Sequence, residues 1–468
     1  MTSPRHPINL RDVLDHAPLV RAQIFVVLLC GVTYGIDGFD TAVIGALAPS
    51  IAHEYGLARP QLGELFSAAV TGMVLGYLCI APFASRTGQK AMMVICTAGF
   101  GVLSVVTTLA HGFTAFAILR LATGLFLGAA LPGTVALTGE YSPRRWRATF
   151  ITYMALGMSF GLTSASLVTA ALINWGGWRG VMVVSGVVPL LLSVVLFFWL
   201  PESVMHLARN PGNGVRIARI LARLLPSGRF TADTHFVIRD TTSGSISGLF
   251  TGQRFAGTLA IWTAFFMNLM VNFFMQSWLP TIFIDIGFSQ RSALGMSALT
   301  MSAGFLSGLT AGPLMDRFGP FRVVCAMYGF GALFIFLTGA LAHGAIALVL
   351  AVAFLASYFN SSAQKGNGAL CVFFYPPALR ATGFGWGSGI GRIGAVVGPV
   401  IIGQLMARHW STQSLFYAAA LPMAIGALAL VALQRLYDLS GPQEPSPHDD
   451  PIRQKAPTTG IGEFPPAS

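Results

Sequence analysis

Apolar residues in this chain run together instead of alternating with polar ones. Turn residues and charges cut them into twelve runs, at 24–48, 62–83, 91–110, 113–140, 148–172, 179–200, 256–284, 292–312, 322–342, 345–374, 383–406 and 414–435. About 20 consecutive apolar residues suffice to cross the hydrocarbon core of a bilayer. The pattern therefore predicts an all-α membrane protein of twelve transmembrane helices. Three polar segments punctuate it: a cytoplasmic lead-in at 1–23, a central cytoplasmic loop at 202–255 and a tail at 438–468. They leave two six-helix bundles, 24–201 and 256–437. Within the central loop, Arg216 to Leu225 sets basic residues beside an apolar face, which predicts a short helix on the inner membrane surface. The tail after Asp438, rich in Pro, Gly and charge, is expected to be disordered.

An internal repeat supports the division into halves. The loop Tyr141-Ser142-Pro143-Arg144-Arg145-Trp146-Arg147 returns as Tyr375-Pro376-Pro377-Ala378-Leu379-Arg380, with the two tyrosines 234 positions apart. Ser85-Arg86-Thr87-Gly88 returns as Asp316-Arg317-Phe318-Gly319 at an offset of 231. Two matches at nearly one offset indicate parallel repeats, an architecture in which substrate sits between halves near the bilayer midplane.

Composition agrees with the pattern: 468 residues, 54% hydrophobic, 10% charged, mean hydropathy +0.68. The net charge of +11 does not point to nucleic acid, because Lys and Arg fall between the apolar runs. With the N-terminus inside, 21 of them lie in cytoplasmic segments and 4 outside, so both termini are expected in the cytoplasm. The five cysteines sit inside apolar runs without metal-ligand spacing, and no metal site, cofactor or disulfide framework is implied. No catalytic constellation appears either, so the chain does not read as an enzyme.

What remains is polar chemistry inside the membrane. Asp37 and Asp40 fall mid-span in the first run, where a charge costs roughly 2.5–3.5 kcal/mol on insertion scales. Three residues apart, they look toward one sector of a helix. Such a pair indicates proton or ion handling, or else a structural tie between helices. Three cations are also intramembrane: Arg120, Lys365 and Arg392. Asn268, Asn272 and Gln276 recur every fourth residue in the seventh run, and Asn360, Gln364 and Asn367 surround Lys365 in the tenth. The histidines of external loops offer no midplane proton relay.

Gly312-Pro313-Leu314-Met315-Asp316-Arg317-Phe318-Gly319 resembles the signature loop of the major facilitator superfamily, and Arg120 with Gly124 and Gly128 resembles its fourth-span motif. Within it the chain is similar to the aromatic acid:proton symporter family. The shared features are Asp37-Gly38-Phe39-Asp40, Gly128-Ala129-Ala130-Leu131-Pro132, Leu200-Pro201-Glu202-Ser203, Ser277-Trp278-Leu279-Pro280 and Gly391-Arg392-Ile393-Gly394. Two departures stand out: Ser85 where the first signature loop has aspartate, and Lys365 where the family carries a small or polar residue.

The resemblance implies a symporter in the bacterial inner membrane that imports a benzoate-like or hydroxybenzoate-like anion, driven by the proton gradient. Asp37 and Asp40 then exchange protons, since an acid in a low-dielectric site favours its neutral form until a cation or water is near. Arg392, with Lys365 or Arg120, holds the carboxylate, because guanidinium grips it with two parallel hydrogen bonds. Asn268, Asn272, Gln276 and Gln364 orient ring substituents, or instead bond between helices. Lys365 faces the cavity, or snorkels to the cytoplasmic interface. Asp316, Arg317, Arg86, Glu140, Arg147 and Arg380 form the inner gate. A dicarboxylate, sugar or drug remains an alternative cargo. A sensor fits less well, for want of a signalling domain. The expected partners are an aromatic anion, protons and lipid, with the protein a monomer.

Overall fold

The structure is a computed structural model that describes residues 8–15, 18–209, 213–224, 236–237, 245–251, 254–342, 344–376 and 378–437. The tail after Asp438, Arg229 and Arg239 of the central loop, and His343 lie outside the described residues. The chain begins with strand β1 (Ile8–Asn9) and helix α1 (Leu10–Asp15). Six spans follow: α2 (Arg21–Tyr55), α3 (Arg59–Thr87), α4 (Gln89–Leu109), α5 (Phe113–Tyr141), and the two arms α6 (147–176) and α7 (178–199). The arms form one helical run interrupted by non-helical backbone at Gly177, so eleven long apolar helices make the expected twelve spans. Then come α8 (Val204–Arg209), α9 (Gly214–Leu224) and β2 (Phe236–Val237). The second six are α10 (Arg254–Asp285), α11 (Gln290–Phe318), α12 (Pro320–Ala340), α13 (Ile346–Phe374), α14 (Arg380–Ala407) and α15 (Thr412–Tyr437).

The repeat seen in the sequence is repeated in the packing. In the first half α2 packs on α6, α3 on α5, and α4 on α7; in the second α10 packs on α14, α11 on α13, and α12 on α15. The signature loops also turn alike. Gly88 and Gly319, equivalent in the repeat, adopt φ of 96° and 86°, a left-handed region open to glycine at little cost. Between halves, α3 packs on α14 and α6 on α11, with α2 against α10 between these seams.

Close approach within a half depends on the fourth-span glycines. A Cβ at Gly124 or Gly128 would run into the carbonyl oxygens of Ala69 and Met73 on α3. The α3–α5 distance is thus set by backbone against backbone, which small residues permit.

The expected surface helix is present as α9, but its apolar side is already occupied. Ile217 and Leu221 are buried against Leu10 and Leu14 of α1 and Val26 and Val27 of α2, while Arg216 and Arg219 are exposed. Hydrophobic burial against protein has taken the place of burial in lipid. The pairing of β1 with β2 ties the start of the chain to the same loop.

Candidate functional site

The two intramembrane carboxylates are both buried but differ in their partners. Arg120 of α5, itself 1% exposed, grips Asp40 with both terminal nitrogens: Nη1 donates to Oδ1 at 2.9 Å and Nη2 to Oδ2. Both terminal nitrogens of Arg120 are thus engaged by Asp40, while its Nε is buried without a partner among the described residues. Asp37 has no such partner. Its Oδ1 is buried without a hydrogen bond, and the charges that reach it are those of Arg392 and Asp40.

Arg392 comes from α14, across the interface between halves. Its guanidinium lies 5.3 Å from the ring centroid of Tyr77 on α3, a cation–π arrangement. Among the described residues it makes no ion pair and no hydrogen bond. Tyr34, one turn before Asp37, lies within the field of Asp37 and Arg392 as well. An acid, two phenols and a guanidinium from three helices therefore lie near one another at mid-depth. Sequence reasoning missed both tyrosines. Only the position of Tyr34 at i−3 from Asp37 could have signalled either.

The polar residues of α10 divide by depth in the fold. Asn268 is fully buried and donates to the backbone and side-chain oxygens of Asn360 at 3.0 and 2.9 Å, a tie within the second half. Asn272 donates to Oε1 of Gln364 at 3.0 Å, and Gln276 donates to Oδ1 of Asn272. Gln364 and Lys365 are exposed. Lys365 does not snorkel: its Nζ donates to Gly304 O at 3.1 Å and to Ser307 Oγ, both in the middle of α11. No cluster of His, Cys, Asp or Glu suited to a metal occurs among the described residues.

The expected gate residues are not joined across the halves in this conformation. Asp316 and Arg86 are exposed and make no ion pair among the described residues, and Arg317 lies over the ring of its neighbour Phe318. Arg147 donates to Gly139 O at 2.8 Å and pairs with Asp15, and its repeat counterpart Arg380 donates to Tyr375 O at 3.1 Å. Each thus caps carbonyls at the end of the preceding helix, a common use of arginine there. Among the described residues Glu140 bonds no arginine. It accepts from Ser203 Oγ at 2.6 Å and from the amides of Val204 and Met205, satisfying the start of α8. Ser85, the departure from the signature, only donates back to Pro82 O at 2.8 Å.

At the opposite end the halves are fastened. Arg59 of α3 meets Asp285 of α10 at 2.6 Å, Gln290 donates to Ser50 Oγ at 2.9 Å, and Ser67 donates to Val396 O at 2.6 Å. The mid-depth region is therefore closed away from the termini. On the termini side Phe83, Phe384 and Trp386 stand exposed.

The family model described as Major Facilitator Superfamily matches residues 30–311 and 296–464. The chain belongs to this superfamily. It is 37% identical to a gallate transporter of Pseudomonas putida, over 91% of this chain and 95% of that one. It is 34% identical to the 4-hydroxybenzoate transporter PcaK of Pseudomonas aeruginosa, over 92% and 98%. Among solved structures, a D-xylose-proton symporter matches with a TM-score of 0.69 at 16% identity, covering 88% of this chain and 97% of that one. A bacterial homolog of the human lysosomal transporter Spinster, in an inward-facing and occupied conformation, matches at 0.67 and 16%, covering 90% and 97%.

For a major facilitator, the glycine-rich α14 has a telling face. Of its seven glycines between 383 and 398, five pack: Gly383 on the Tyr375 ring, Gly387 on the Phe265 ring, and Gly391, Gly394 and Gly398 on backbone carbonyls of α10. Gly385 and Gly389 meet nothing within 4 Å. Spaced i, i+4 and i+7, Gly385, Gly389 and Arg392 share one helix face. On the termini side of the guanidinium this face therefore carries two glycines with open space beside them.

Proposed function

We propose that this chain is a proton-coupled symporter that imports an aromatic carboxylate across the bacterial inner membrane by alternating access, with both termini cytoplasmic. On that orientation the conformation described above is closed to the outside and open to the cytoplasm. The observation that carries the reading is Arg392, a guanidinium at mid-depth that pairs with no anion among the described residues and has an aromatic ring beneath it. A carboxylate completes its charge-assisted hydrogen bonds, and Tyr77 gives an aromatic ring a surface to lie on. The names of the relatives, a gallate and a 4-hydroxybenzoate transporter, support the same substrate class.

Asp37 is the proton carrier in this reading, since Asp40 is committed to Arg120. Arg392 is the charge that both Asp37 and the substrate face. A substrate anion on Arg392 offsets that positive field at Asp37, which favours the protonated acid. Proton and anion then occupy the site together, and the loaded site is nearly neutral. Asn272 and Gln276 of α10 supply hydrogen bonds to ring substituents. No cofactor beyond the proton gradient enters, and the transporter works as a monomer, without chemistry on its cargo.

Proteoliposomes with an acidic exterior test the reading. Uptake of 4-hydroxybenzoate or gallate above its equilibrium level, abolished by a protonophore, is the expected result. Absence of accumulation for every aromatic acid tried would refute it.

A further inference from the structure

We propose that Lys365 reads a second acidic group on the substrate, placing the preferred cargo among aromatic acids with another anionic oxygen group across the ring from the carboxylate. This rests on the aromatic-acid reading and deepens it. Lys365 Nζ is held at mid-span by Gly304 O at 3.1 Å and by Ser307 Oγ. An ammonium has three donors, so these contacts leave one without a protein acceptor. Neither contact carries a negative charge, and no carboxylate pairs with Lys365 among the described residues. A cation left inside a membrane protein without a counter-charge is costly unless a ligand or water supplies what the fold does not.

Its placement bears on where the second group sits. Lys365 lies beside the α6–α11 seam, with its side chain against Gly308 of α11, where Leu156 of α6 also arrives. Arg392 belongs to the other seam, α3–α14, over Tyr77. Between them stand α2 and α10, the latter carrying Asn272, whose amide is bonded to Gln364, the neighbour of Lys365. Two cations on different seams between the halves, with the amide of Asn272 bonded to the neighbour of one of them, match a rigid ring whose two anionic groups point apart. A ring with one carboxylate satisfies Arg392 and leaves Lys365 as it is.

The test uses purified full-length protein and four probes: benzoate, phthalate (1,2), isophthalate (1,3) and terephthalate (1,4). Titration calorimetry on the wild type is expected to favour terephthalate and isophthalate over phthalate and over benzoate. Lys365→Gln should lower the ratio of terephthalate to benzoate affinity about ten- to hundredfold, the equivalent of one charge-assisted hydrogen bond. Lys365→Arg, which keeps the cation, should retain the preference. Ser307→Ala, which frees the ammonium from its anchor, should shift the ratio in the direction of Lys365→Gln by less, and serves if the lysine variants do not fold. A wild type indifferent to the position of the second carboxylate, or a ratio unchanged in Lys365→Gln, overturns the inference while leaving the aromatic-acid reading intact. A wild type that binds none of the four acids overturns both.

Discussion

Asp37 and Asp40 lie one helical turn apart on α2, yet Arg120 closes on both oxygens of Asp40 and leaves Asp37 without an ion pair among the described residues. The two acids therefore differ in their surroundings. One acid belongs to a buried tie between the first and fourth spans. The other is free to change its charge without pulling a helix out of place.

Substitution should separate the two. Asp40→Asn leaves the buried guanidinium of Arg120 without its counter-charge and should cost about 3–5 kcal/mol of stability. Asp40→Leu combined with Arg120→Met removes both charges and should recover most of that loss, as neutral replacement of buried pairs often does. Asp37→Asn should melt near the wild type, retain counterflow exchange of substrate, and lose proton-driven accumulation. Thermal melting in detergent and uptake with and without a pH gradient measure these outcomes. An Asp37→Asn protein that still accumulates substrate would remove Asp37 from coupling.

The latch between Arg59 and Asp285 makes a second claim, about conformation. Its side chains are 36% and 31% exposed, so it lies in the range of exposed pairs, worth about 0.2–1 kcal/mol. Because it exists only when α3 and α10 meet, that energy goes wholly into favouring closure at this end. Arg59→Ala or Asp285→Ala should raise the population open at this end by up to about fivefold. The charge-swapped double variant Arg59→Asp/Asp285→Arg should return it toward the wild type. Distances between spin labels on the ends of α3 and α10 report this directly, and distributions unchanged in both single variants would show that the pair does not bias the transition.

Much of this arrangement was legible in the sequence, for reasons that differ by element. Twelve apolar runs and two matched loops yielded the repeat because bilayer thickness and duplication leave long-range marks. Asp37 and Arg392 could be singled out because charges in apolar runs are costly. Which acid Arg120 would choose was not legible, since Asp37 and Asp40 share a helix face and only the α3–α5 packing settles the depth of the guanidinium. Tyr77 was invisible because a tyrosine in an apolar run looks like core. The bonds that Arg147, Arg380 and Glu140 make in this conformation were hidden for a similar reason. A charge at a helix end serves a cap as well as a gate, and the backbone groups it satisfies carry no sequence signal.

The bare face of α14 leads to the last prediction. A Cβ at Gly394 would collide with Phe266 O of α10, so Gly394→Leu should fail to pack. Gly389 has nothing within 4 Å and lies three residues before Arg392 on the same face. Leucine there fills empty space, and as a better helix former than glycine it favours α14 by about 1 kcal/mol. Gly389→Leu should therefore melt at or above the wild-type temperature. Its isobutyl group nevertheless stands on the termini side of Arg392 on the same face, and uptake of 4-hydroxybenzoate should fall about tenfold, the equivalent of 1.4 kcal/mol at this step. The more distant Gly385→Leu should fall less. Stability gained with transport lost cannot come from a damaged fold, so the combination isolates access to the guanidinium. Wild-type uptake in Gly389→Leu would mean that substrate reaches Arg392 by another route.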